Sequence, residues 1–201
     1  MRTRVKFCGF KRVEHALQAC ELGVDAIGLV FHPPSARYIE PQAAAVIAKA
    51  MPAFVMRVGV FKDAEPGFIE SVLKTVPLDR LQFHGAETAE ACERYGLAYI
   101  KAFCMQSALD FQQVLSTYST ASAIMLDDTG GSGVTFDWSQ IPRQLINVPL
   151  ILAGGLNSEN VAQAIKTVQP YAVDVSSGIE SQKGEKSLEK MQAFIHEVAN
   201  V

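Results

Sequence analysis

Eight short apolar runs alternate with longer amphipathic stretches along the whole of this 201-residue chain. The runs are RVKFCG, DAIGLVF, FVMRVGVF, RLQFHG, AYIKAF, SAIMLD, PLILAGG and YAVDVSSG. Their length and their β-branched and aromatic content suit strands. Between them, KRVEHALQACELG sets Val13, Leu17 and Cys20 at helical spacing and stops at Gly23. EPQAAAVIAKAM, EPGFIESVLKTV and AETAEACERYG read as further helices, with Pro41 near the start of the first, where a helix tolerates it. NSENVAQAIKTV opens on Asn157 and Ser158 as cap candidates, and SLEKMQAFIHEVAN closes the chain. Strands that alternate with helices form βαβ units and a parallel sheet. Eight such units in this length predict a (β/α)8 TIM barrel of the α/β class, with an open doubly wound sheet as the rival. No composition shift or long linker divides the chain, so residues 1–201 read as a single domain.

Alternation within the strands favours closure. Lys6 and Cys8 oppose Val5 and Phe7, Arg57 opposes Val58, Lys101 opposes Ile100 and Ala102, and Asp174 opposes Val173 and Val175. Buried charges need partners. A common barrel interior ringed by Lys6, Arg57, Lys101 and Asp174 would supply them, whereas an open sheet covered on both faces would not.

Charge and cysteine content exclude several classes of partner. A net charge of −3 gives no basic excess to attract a nucleic-acid backbone. No apolar run is long enough for a bilayer, and the N-terminus lacks the apolar region of a secretory signal. Cys8, Cys20, Cys92 and Cys104 form no CxxC pair and no zinc-type spacing, so the expectation is reduced thiols, a cytoplasmic location and no metal.

Active sites of such barrels lie at the C-terminal ends of the strands. Those ends carry Cys8, His84 and Asp127, groups suited to proton transfer. The sixth run, IMLDDTGGSG, ends in adjacent carboxylates, and an extended chain turns at most one of Asp127 and Asp128 into a shared site. Gly154 and Gly155 precede a capped helix, and Ser176, Ser177 and Gly178 follow the last strand. Small residues and a helix N-terminus in the seventh and eighth loops suit a phosphate. HPPSARYIEP after the second strand offers Arg37, whose guanidinium can grip a carboxylate or simply face solvent. His84, beside Gln82, reads by itself first as a hydrogen-bonded structural group. The glycines after Asp128 allow a loop that closes over a substrate.

The motifs VKFCG, GLVFHPPSARYI, RVGVF, QFHG, LD at Leu126–Asp127, GGSGVTFDW, GGLNSENV, AVDVSSGIE and KGEKS run in order along nearly the whole chain. Together they resemble one family, the phosphoribosylanthranilate isomerases of tryptophan biosynthesis. The resemblance implies a (β/α)8 barrel that catalyses a cofactor-free Amadori rearrangement of N-(5-phosphoribosyl)anthranilate by general acid–base chemistry, as a monomer or homodimer. It implies Cys8 as the base, Asp127 as the acid, Arg37 on the anthranilate carboxylate, and Gly155, Ser177 and Gly178 around the phosphate, with His84 also in the substrate site. Selecting Asp127 leaves Asp128 to begin the loop in solvent. A base thiolate calls for a lowered Cys8 pKa, with Lys6 as the neighbouring cation; an acid calls for a raised Asp127 pKa, with burial as its source. Two departures from the family pattern stand out: Phe10-Lys11 in place of an aliphatic residue and threonine, and a short run after Asp128. Lys11 either brings a further cation towards Cys8 or starts the helix. Among rivals, a sugar-phosphate epimerase would need metal-binding histidines and aspartates, and indole-glycerol-phosphate synthase its lysine and glutamate pattern. A non-catalytic phosphate-binding module would have lost Cys8 or Asp127.

Overall fold

The computed structural model describes residues 2–105, 109–128 and 136–201. Eight parallel strands close into a barrel in chain order: β1 (Arg4–Cys8), β2 (Ala26–Val30), β3 (Met56–Phe61), β4 (Arg80–Phe83), β5 (Tyr99–Cys104), β6 (Ala123–Asp127), β7 (Leu150–Leu152) and β8 (Ala172–Val175). The ring closes where β8 pairs with β1, with Lys6 opposite Asp174 and Phe7 opposite Val175. The eight runs read from sequence are these eight strands.

Helices α1 (Val13–Glu21), α2 (Pro41–Ala50), α3 (Pro66–Thr75), α4 (Ala89–Glu93), α5 (Phe111–Thr117), α6 (Val161–Val168) and α7 (Leu188–Ala199) cover the outside. Proline opens α2 and α3, where its missing N–H costs nothing. Asn157 and Ser158 do not cap α6. That helix starts at Val161, and Asn157 and Asn160 instead hydrogen-bond within the preceding loop. The α5 segment lacked a helical reading in the sequence; Asp110 starts it by accepting from the N–H groups of Gln112 and Gln113. Between β6 and β7 the described residues hold two single 3-10 turns, Trp138–Gln140 and Arg143–Leu145. A small antiparallel hairpin, β9 (Glu180–Gln182) with β10 (Glu185–Lys186), follows β8. The glycine-rich stretch after Asp128 lies outside the described residues.

The sheet's outer side packs against the helices through large groups such as Phe7, Phe31, Phe61 and Phe83. Its inner side is filled by smaller ones, among them Ala26, Val58, Ile100, Ala102, Met125 and Ile151. Lys6 and Asp174 also point inward, and their 2.7 Å ion pair lets two buried charges share one interior.

The expectation that Arg57 and Lys101 join them is overturned. Alternation defines two sides of a strand without saying which faces in; β3 turns Val58 inward and β5 turns Ile100 and Ala102 inward, which sends both cations out. Arg57 reaches Asp79 at the rim, with Nε 2.7 Å from Oδ2. Lys101 is buried outside the sheet, where its ammonium donates to the Gly85 carbonyl (2.6 Å) and to Glu87 (3.2 Å) near the rings of Phe103 and Tyr118.

Candidate active site

A cleft of about 330 Å³ opens at the C-terminal ends of the strands. Cys8, Arg37, His84, Asp127, Gly155 and Ser177 all line it, each carried by a different strand or the loop after it. Gly178 stands just behind Ser177, against the loop of Leu156 and Asn157.

Cys8 is the last residue of β1 and points inward because Phe7 points out. Gly28 stands beside it on β2, and a Cβ there would lie 2.5 Å from Cys8 Sγ. The absence of a side chain at Gly28 makes room for the sulfur. Burial pushes the thiol above its ordinary range; Lys6 pulls it back, but the net direction is upward. The expected lowering is therefore reversed. Asp174, paired with Lys6, pushes the thiol up and offsets part of the Lys6 pull.

Asp127 ends β6 and is buried. Its Oδ2 lies 3.1 Å from His84 Nε2, and its Oδ1 accepts the Asp128 N–H at 2.8 Å. Burial pushes this carboxyl up, yet the hydrogen bond and charge of His84 and the Asp128 N–H outweigh it and hold the group below the ordinary carboxylate range. The expected upward shift is thus also reversed. His84 Nδ1 sits 3.3 Å from Gln82 Nε2, so the bland structural pairing and the contact with the acid candidate coexist on one ring. Asp128 is not solvated as expected: it is 1% exposed. Both carboxylates are shielded from bulk water although β6 ends at Asp127.

Arg37 donates from Nε (2.7 Å) and Nη2 (2.9 Å) to both oxygens of Glu180, a fork that fixes its plane. Among the described residues Nη1 has no hydrogen-bond partner, which leaves one edge for a ligand. Gly9, at φ +87°, lets the chain turn under Arg37, where a Cβ would stand 2.7 Å from Cδ. Lys11 is exposed, just ahead of α1; Lys186 and Arg37 are cations that do act on Cys8 from outside the barrel interior. Glu180, Lys186 and the cleft-lining Lys183 were absent from the sequence-derived site. Their only signal was their place in GIE and KGEKS, stretches without a pattern of their own.

The loops after β7 and β8 form a glycine-rich corner of the cleft. Gly154 and Gly155 have φ of +86° and +62°, left-handed conformations that suit glycine. Asn160 Nδ2 holds the Gly155 carbonyl at 3.0 Å. The single turn Ser177–Ile179 packs so closely on this loop that a Cβ at Gly178 would overlap the Leu156 carbonyl. Among the described residues no cluster of His, Cys, Asp and Glu is arranged to hold a metal, and no helix is long and apolar enough to cross a membrane.

The family model for N-(5'-phosphoribosyl)anthranilate isomerase matches residues 5–197. The chain belongs to this family. An isomerase from Nitrosococcus oceani is 49% identical over 206 residues, covering 100% of both chains. One from Azotobacter vinelandii is 50% identical over 202 residues and 98% of each. The crystal structure of phosphoribosylanthranilate isomerase from Thermotoga maritima superposes with a TM-score of 0.91 at 42% identity, over 99% of this chain and 100% of that one. A second isomerase structure holds reduced 1-(o-carboxyphenylamino)-1-deoxyribulose 5-phosphate, and it superposes with a TM-score of 0.88 at 41% identity over 99% and 100% of the two chains.

Proposed function

We propose that this isomerase converts N-(5-phosphoribosyl)anthranilate to 1-(2-carboxyphenylamino)-1-deoxyribulose 5-phosphate with Cys8 as general base and Asp127 as general acid. One observation carries the assignment of roles: a buried thiol and a buried carboxyl line one cleft together with Arg37 and the glycine loops after β7 and β8. Asp127 gives its proton to the ribose ring oxygen, the C1–O bond breaks, and the nitrogen lone pair forms the C1=N bond of a Schiff base. Cys8 takes the proton from C2, and the electron pair moves to give an enolamine. The enolamine tautomerises to the ketoamine product. Arg37 binds the anthranilate carboxylate through its unused edge, and the N–H groups about Gly155, Ser177 and Gly178 bind the phosphate. His84 lies within the substrate site and holds Asp127.

The raised Cys8 and lowered Asp127 pKa favour a proton on sulfur and a charge on the carboxyl. A bound substrate brings two anions and expels water, and both effects raise the Asp127 pKa. The proton distribution needed for ring opening therefore becomes easier to reach with substrate present. The whole chain 1–201 acts as one catalytic domain in the cytoplasm, as a monomer or homodimer, without metal or cofactor.

The test follows anthranilate fluorescence as freshly generated substrate is consumed, with chelator present. Cys8→Ala and Asp127→Asn should each lose roughly 10³-fold or more in kcat with the fold intact. Asp128→Asn, at a buried position, should lose about 1–3 kcal/mol of stability but far less turnover. Equal loss of turnover in the two Asp→Asn proteins would overturn Asp127 as the single acid.

A further inference from the structure

Glu180 is the hub of a buried charge network outside the acid–base pair. Its Oε1 accepts from Arg37 Nε at 2.7 Å and from Lys186 Nζ at 2.9 Å, and its Oε2 accepts from Arg37 Nη2 at 2.9 Å. The Lys186 side chain is 1% exposed and that of Glu180 5%. Two cations around one anion leave one positive charge unbalanced beside the cleft. Lys6 and Asp174, by contrast, cancel.

Lys186 Nζ also donates to the Ser176 carbonyl (3.1 Å) and contacts Ser176 Oγ (3.3 Å). With Glu180, that engages all three ammonium protons. Ser176 Oγ in turn donates to the Cys8 carbonyl at 2.9 Å. This bond sits where the barrel seam stops: the last β1–β8 pair is Phe7 with Val175. One residue beyond, Cys8 and Ser176 are joined by a side chain, and Lys186 holds that side chain in place.

We propose that Lys186 is a positioning residue for the general base: through Ser176 it fixes the strand end that carries Cys8, through Glu180 it fixes Arg37, and it supplies the unbalanced positive charge of that corner. The proposal rests on the reading of Cys8 as the base. Four charged groups act on the sulfur: Lys6 and Asp174 from the barrel interior, Lys186 from β10, and Arg37 from the loop after β2, with Glu180 behind the last two. Burial pushes the thiol up, Lys6 and Lys186 pull it down, and Asp174 opposes them. Asp174 offsets part of the Lys6 pull, and Lys186 adds its own from the Glu180 network.

The test labels the protein with iodoacetamide across pH and follows the Cys8 peptide by mass spectrometry, beside steady-state kinetics. Lys186→Met should move the Cys8 labelling midpoint to higher pH and lower kcat roughly 10- to 100-fold, with KM within about threefold of wild type. A merely structural role predicts the opposite movement, because a loosened site admits water and relieves the burial that raises the thiol. An unmoved or lowered midpoint in folded Lys186→Met overturns the proposal. Should that variant not fold, Ser176→Ala decides: about a tenfold loss of kcat at unchanged KM supports the link to Cys8, and wild-type kcat overturns it. Wild-type turnover by Cys8→Ala would overturn the base assignment itself, an outcome separate from the labelling midpoint, which reports Lys186 acting on the sulfur whatever the sulfur does.

Discussion

His84 Nε2 lies 3.1 Å from Asp127 Oδ2, so the carboxyl read as the acid rests against a ring that favours its ionised form. The Asp127 pKa is held down and the Cys8 pKa pushed up, which leaves a wide pH interval in which the pair shares one proton. In kcat/KM, activity should be flat across that interval. It should fall below the depressed Asp127 value, where both groups are protonated, and above the raised Cys8 value, where neither is. His84→Asn removes the group that lowers Asp127 while burial remains, so the acid limb should move to higher pH. A profile with an unmoved acid limb would show that His84 does not act on Asp127.

Arg37 has a structural task beside the ligand role proposed for it. Glu180 is buried and its pKa is lowered: burial raises it, and Arg37 and Lys186 more than offset that. Its contribution to stability is therefore present above the ordinary glutamate range and fades as pH falls through the depressed folded value. Arg37→Ala should raise KM at least about tenfold and cost about 3 kcal/mol, because it takes half the support from a buried anion. The stability loss should shrink in acid. Urea titrations at neutral and acidic pH, run beside the kinetics, would expose an Arg37 that serves only one of the two purposes.

Gly28 faces Cys8 across the β1–β2 ladder, and the 2.5 Å approach of a new Cβ leaves no room for both. Gly28→Ala should displace the sulfur and reduce kcat by about 10²-fold, since small misplacements of a reacting group are costly. Circular dichroism would check that the barrel persists. Near-normal kcat would mean that the sulfur's position is not critical.

Lys101 and Glu87 form a buried pair outside the barrel that ties the residue after His84: the lysine takes the Gly85 carbonyl and the glutamate takes the Gly85 N–H at 2.9 Å. Lys101→Met strands Glu87 and should cost about 3–5 kcal/mol in chemical unfolding. Glu87→Gln and Lys101→Met together should recover part of that loss. If the double variant is as unstable as the sum of the singles, the pair is not coupled.

The barrel was legible because period-two patterning and length sufficed to mark each strand. The sidedness of the strands was not. In β1 the charged side faced in, whereas in β3 and β5 it faced out, and nothing within RVGVF or YIKAF distinguishes the cases; the ring of neighbours decides. Cys8, His84 and Asp127 could be found because barrel chemistry sits at strand ends. Glu180 and Lys186 could not, because their roles depend on a hairpin folding back over β8 to meet Arg37, a residue 143 positions away in the chain. The direction of both proton affinities was also beyond the sequence. Burial alone argued for a raised Asp127, and only the His84 and Asp128 donors reverse it.

The bond from Ser176 to the Cys8 carbonyl joins residues 168 positions apart. A ribosome delivers the thiol 168 residues before the side chain that clamps its strand end, so a fragment that carries Cys8 without Ser176 lacks that clamp. Long-range closure of this kind is slow, because the entropy of joining distant segments is lost before the contact forms.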